Sequence, residues 1–172
     1  MNQLDSTALK RQHREWRRRT EGRVGLVLDS VQNPFNVGSI VRTAAAFRVE
    51  HLWVGGGTTP DHPKVSKTAL GTDRYLPWTA HADAPSAVTA AREAGMRVVA
   101  IELCPGAVPV HECELGPAVA LVVGHEDRGM AAATLEACDA VAFIPQLGKV
   151  GSLNVATAAA IALYEARRRA WT

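Results

Sequence analysis

The last thirty residues constrain this chain most. Val141 to Ile144 is a short strand-forming run cut off by Pro145, and a loop carrying Gly148 and Gly151 follows. Ser152 and Asn154 then stand just before an Ala-rich run with good helix propensity. A strand ends, a loop turns, and a helix begins under polar residues able to cap its free N–H groups. An end of this kind can hold the polar parts of a ligand.

Upstream, strand and helix patterns alternate. Val24–Leu28 reads as a buried strand, Asn33-Pro34-Phe35-Asn36 as turn chemistry, and Val37, Ile40, Val41 and Ala44 recur at helical spacing. His51–Val54, Arg97–Ile101, Ala118–Val123 and Ala140–Ile144 read as further strands. Ala84–Ala94, Ala131–Cys138 and Ser152–Arg169 read as helices. Residues 58 to 83, with prolines at 60, 63 and 77, read as irregular. The alternation predicts an α/β fold, a mostly parallel sheet with helices on both faces. Ligands of such sheets gather at the carboxyl ends of strands, where three loops fall here: 29–38, 124–129 and 145–154.

Charge divides the chain unevenly. Residues 1 to 23 carry seven Lys or Arg against three acidic residues, whereas the remainder carries twelve against fourteen. The expected organisation is a basic extension over 1–22, a helix or arm, and a single domain over 23–172. Lys10, Arg14, Arg17 and Arg18 would share one helix face beside Trp16. Such a face suits a polyanion partner and suits plain solvation equally well. No apolar run reaches the ~18 residues that span a bilayer and no signal-peptide pattern opens the chain, so the expected location is the cytoplasm, with no membrane partner. Cys104, Cys113 and Cys138 form no C-x-x-C and the six histidines are dispersed, so reduced thiols and no metal are expected.

Each loop carries candidate chemistry. In the first, Asn33 can cap a helix or bind a ligand, Gly38 permits close backbone approach, and Arg42 sits among Ile40, Val41 and Ala44–Ala46. A cation in so apolar a helix is expensive to bury alone, which points to a functional Arg or to a pair with Asp29. In the second, Gly124 can let a planar ligand approach, while Glu126 and Arg128 face the same sheet edge and His125 reads as a loop histidine. The third offers Ser152 and Asn154, and its small apolar helix suits tight packing or a dimer interface. No G-x-G-x-x-G opens a helix after a strand, which argues against a Rossmann-type nucleotide site.

Asn33-Pro-x-Asn-x-Gly-x-x-x-Arg42, Leu121-Val-Val-Gly-x-Glu-x-x-Gly129 and Ile144-Pro-x-x-Gly-x-x-x-Ser-Leu-Asn-Val155, in this order, resemble the three motifs of the SpoU/TrmH family of the SPOUT superfamily, ribose 2′-O-methyltransferases acting on RNA. The resemblance spans roughly Arg23 to Arg169. It implies a C-terminal deep trefoil knot, which no periodicity reveals. It also implies a homodimer with the active site near the interface. S-adenosylmethionine would be held by Gly124, Ile144 and Leu153, with Leu147 and Leu103 in support. Arg42, Glu126, Ser152, Asn154 and Asn33 would form the catalytic set, with Arg42 gripping a phosphate and Glu126 orienting Arg42 or Asn33. Lys67–Trp78 resembles a segment of members that modify tRNA, so tRNA is the expected substrate, contacted by Arg11, Arg14, Arg18, Arg42 and Arg74. An rRNA substrate, or a non-catalytic RNA-binding protein on the same fold, is the alternative.

Overall fold

The computed structural model describes residues 3–171. After an N-terminal helix α1 (Ser6–Arg18), the chain runs β1 (Arg23–Asp29), α2 (Pro34–Ala46), β2 (Leu52–Gly55), α3 (Pro63–Ala69) and β3 (Trp78–His81). It continues through α4 (Ala84–Glu93), β4 (Arg97–Ile101), β5 (Val108–Pro109), β6 (Ala118–Val123), α5 (Ala132–Ala137), β7 (Ala140–Phe143) and α6 (Val155–Arg169). The strands lie in the order β3-β2-β1-β6-β4-β7-β5, and every pairing is parallel.

Strands covered on both faces bury successive residues rather than alternate ones. Val24 through Asp29 and Val119 through Val123 are buried without a break. Leu26, Leu28, Val54, Leu121 and Val123 pack with Val37, Ile40 and Val41 of α2 and Ala159, Ala162 and Leu163 of α6. Val27, Val98, Ala120 and Val122 face the other way, onto Ala87, Val88 and Ala91 of α4.

The segment expected to be irregular is not. Residues 58 to 83 contain α3, a 3₁₀ turn at Asp73–Tyr75 and the edge strand β3. Pro63 stands in the first turn of α3, where its missing N–H costs nothing, and the His62 ring accepts from the Lys64 amide. Pro77 directly precedes β3. These prolines mark element starts, not a loop. The two-residue β5 also escaped the sequence pattern.

Helix α1 has no buried residue. Its far end is fastened by Trp16, whose ring lies 5.3 Å from Trp171, itself 5.4 Å from Tyr164 of α6. Thr20 bridges to Trp171 through the backbone.

Candidate active site

The carboxyl ends of β4, β6 and β7 open into a cleft of about 420 Å³ lined by Ile101, Val123 and Phe143 and by the loops that follow them. A second cleft, about 610 Å³, lies between the starts of α2 and α6. His125, Glu126, Asp127, Ser152, Leu153 and Val155 line both, so one wall divides two cavities.

That wall is built by hydrogen bonds between loops distant in sequence. Glu126 accepts from the Gln32 amide at 3.2 Å, the Asn33 amide at 3.0 Å and the Asn36 side chain at 3.0 Å. Asn154 Nδ2 donates to Asn36 Oδ1 at 3.0 Å. The chain Asn154–Asn36–Glu126 thereby ties all three motif loops together. Burial pushes the Glu126 carboxyl up, but the hydrogen bonds from Asn36, its own backbone and the Asn33 and Gln32 amides outweigh that and hold it below its ordinary 4.5. Glu126 is therefore an anionic strut. It orients the Asn33 backbone and does not touch Arg42.

The capping asparagines are structural at both helix starts. Asn33 Oδ1 accepts from the Phe35 amide at 2.9 Å, and Asn154 Oδ1 accepts from Ala156 at 3.0 Å and Thr157 at 3.3 Å. Each cap is worth about 1 kcal/mol. Helix α6 thus starts at Val155 rather than at Ser152, and Ser152 stays exposed on the shared wall.

The glycines serve packing more than ligand approach. A Cβ on Gly38 would lie 2.5 Å from Thr68 Cβ and 2.9 Å from the Val65 carbonyl, so Gly38 lets α3 press against α2. A Cβ on Gly124 would meet Gly129 and the Met130 amide at 2.9 Å, so Gly124 lets its own loop close. His125 helps: its amide and carbonyl pair with Gly129, and its Nδ1 accepts from the Asp127 amide at 3.1 Å.

Of the expected cofactor residues, Leu103, Gly124, Ile144 and Leu153 line the first cleft, whereas Leu147 is fully exposed and lines neither. Arg42 departs furthest from expectation. It is exposed, lines neither cleft of its own chain, and forms no hydrogen bond or ion pair among the described residues. The alternative pairing with Asp29 is absent, since that buried carboxylate accepts from the Ala131 amide. Arg11, Arg14, Arg18 and Arg74 are exposed, the last lying 4.8 Å over the Tyr75 ring.

Two residues of the site escaped the sequence reading. Asn36 carries the relay between motifs, and its fixed place in Asn33-Pro-x-Asn was the available signal. Glu102 lines the first cleft and accepts from the Leu103 and Met130 amides, both at 3.0 Å, with no local signal to mark it.

A parallel sheet whose strand ends carry two cavities around an asparagine–glutamate relay is an α/β architecture of the kind that holds ligands at its strand ends. Residues 23–164 match the SpoU rRNA Methylase family, and the chain belongs to that family. It is 36% identical over 143 residues to the 23S rRNA (guanosine(2553)-2′-O)-methyltransferase RlmP of Bacillus subtilis, covering 83% of this chain and 57% of that one. An AdoMet-bound rRNA methyltransferase from Sinorhizobium meliloti superposes with a TM-score of 0.80 at 32% identity, over 90% of this chain and 59% of that one. A protein structurally characterised for 2-OH methylation of C/U34 on tRNA superposes with a TM-score of 0.75 at 31% identity, over 86% and 96%. The chain spans about half the length of the curated relatives it matches.

Proposed function

We propose that this chain transfers a methyl group from S-adenosylmethionine to a ribose 2′-hydroxyl of RNA. The observation that carries the reading is the shared wall: two cavities meet at Glu126 and Ser152, one suited to a donor and one to an acceptor. The first cleft lies within the range of about 300–1,000 Å³ common for ligand pockets. It joins apolar surface from Ile101, Val123, Ile144 and Leu153 to polar groups at Glu102 and Gln146. The Gln146 side-chain oxygen is buried with no partner among the described residues, an acceptor left for a donor group. These residues fit an adenosyl ligand, which when bound supplies an electrophilic sulfonium methyl.

The chain's own residues do the rest. The relay Asn154–Asn36–Glu126 holds both cavities in register, which a transfer between two bound molecules requires. The proton of the attacking hydroxyl leaves through Ser152, on the wall, to the adjacent RNA phosphate. Arg42, with its guanidinium unspent, grips a phosphate of the RNA bidentately. It does so near the interface of a homodimer that covers the exposed Ile161 and Tyr164 of α6, the helix packed on α2. The C-terminal trefoil knot belongs to the same reading, supported by β6 inserting between β1 and β4 before β7 returns beyond β4. Lys10, Arg11, Arg14 and Arg18, on a helix fastened through Trp16, form the RNA-gripping arm.

Some relatives, RlmP of Bacillus subtilis among them, are named for 23S rRNA guanosine, which favours rRNA. The tRNA 2-OH neighbour, matched over nearly its whole length, supports tRNA as the second reading. The test is transfer of labelled methyl from S-adenosylmethionine to unmodified 23S rRNA and tRNA transcripts, with digestion to locate the label. Label in a ribose is expected. Label on a base, or none in either RNA, would overturn the proposal. Replacing Lys10, Arg14 and Arg18 by Gln should reduce the slope of log affinity against log salt by roughly 0.7–0.9 per lost phosphate contact.

A further inference from the structure

The second cleft carries a feature that the transfer reaction itself does not use. Phe35 stands in its wall 59% exposed, with no ring partner among the described residues. It is the only Phe, Tyr or Trp of that lining. The ring projects from a fixed base. Pro34 opens α2, the Phe35 amide donates to Asn33 Oδ1, and the Asn33 amide is held by Glu126. Lys64 of α3 lines the same cleft, exposed, its ammonium unpaired among the described residues. Close approach of α3 to α2 at Gly38 keeps the two side chains in one cavity.

We propose that Phe35 is the stacking platform for the base of the nucleotide being modified, and that Lys64 contacts a flanking phosphate. The inference rests on the function proposed above. A ribose placed against Ser152 on the shared wall must leave its base somewhere within the second cleft, and Phe35 offers the one flat apolar surface there. RNA bases outside a helix are held in this way, on aromatic faces with cations beside them. Stacking accepts any base, because every base has a π-face, so Phe35 sets affinity and orientation while the exposed side chain of Gln32, in the same lining, reads an edge.

The experiment compares Phe35→Ala, Phe35→Tyr and Lys64→Gln with the unaltered full chain. The 23S rRNA and tRNA transcripts are the acceptors, measured by steady-state transfer, filter binding and size exclusion. Phe35→Ala should raise KM and Kd for the accepting RNA by about 5- to 150-fold. It should leave S-adenosylmethionine affinity unchanged, and Phe35→Tyr should restore RNA affinity. Lys64→Gln should lower the salt slope of RNA affinity by about one unit. Unchanged RNA KM and Kd in Phe35→Ala, with the unaltered chain active, overturns this inference and leaves the proposed function standing. Loss of a dimer in Phe35→Ala assigns the ring to a subunit contact and overturns it as well. An unaltered chain that neither binds nor methylates RNA overturns the proposed function and this inference together.

Discussion

Arg42 and Arg167 sit on neighbouring helices and share a side chain, yet the structure treats them in opposite ways. Arg167 is buried at 6% exposure and spends its guanidinium on three backbone carbonyls: Phe47 at 2.8 Å, Gly22 at 3.1 Å and Arg48 at 2.6 Å. It joins the start of β1, the end of α2 and α6, and burial lowers its pKa. Arg42 spends nothing and is exposed. A cation whose three nitrogens all donate within the fold is an element of architecture. One whose donors are all unused is available to a ligand. The sequence invites the reverse assignment, because Arg42 is flanked by apolar residues while Arg167 stands in an Arg-Arg-Arg run that looks like ordinary complement to a helix dipole.

The sharpest way to break this contrast is Arg42→Ala. Its kcat should fall by about 10² to 10³, as when one transition-state contact is removed, and Arg42→Lys should stay poor because Lys lacks the planar fork. Thermal stability should change by no more than about 0.5 kcal/mol, since nothing in the fold holds this side chain. Near-normal turnover would leave Arg42 as surface charge.

Arg167→Met should behave conversely. Leaving three carbonyls around a buried side chain without their donor should cost on the order of 3 kcal/mol, read as a Tm lower by roughly 6–12 °C in calorimetry. Turnover well below that Tm should persist. A variant as stable as the unaltered chain would show that solvent replaces the guanidinium.

A smaller effect is expected at the relay. Asn36→Ala removes the link between Glu126 and Asn154 and should cost roughly 1–2 kcal/mol. It should lower kcat with both substrates saturating, because it loosens the wall between the clefts. If kcat holds and only stability falls, the relay is a brace without catalytic consequence.

The smallest effect is acid sensitivity. The folded-state pKa of Glu126 lies below its ordinary 4.5. Its contribution to stability is therefore fully present above about pH 4.5 and is lost as the pH falls through the lowered value. Chemical denaturation between pH 6 and 3 should show a shallower acid decline for Glu126→Gln than for the unaltered chain. Parallel curves would remove Glu126 from the linkage.

Much of the frame was legible in the residues. Arg97–Ile101 and Ala118–Val123 are strands at the residues read from apolar runs, because strands buried on both faces carry their signal continuously. The three loops that meet at the site were identified by turn and cap residues, and the match to the SpoU/TrmH motifs anticipated the family. The reading failed where one residue type supports two structures. Proline at position 63 starts a helix as readily as it breaks one, so α3 was lost. Arg42 reads as buried from its neighbours along the chain, but its own position on the helix circumference turns it outward.

Local chemistry in the sequence thus determined where β1, β2, β4, β6 and β7 run, where α2 and α6 are capped, and which loops follow those strand ends, because propensity, periodicity and capping act over a few residues. Only the tertiary structure decided what Glu126, Asn36 and Arg167 do. Their partners lie 90 to 145 residues away along the chain, and hydrogen bonds at that separation exist only after the sheet has brought the loops together.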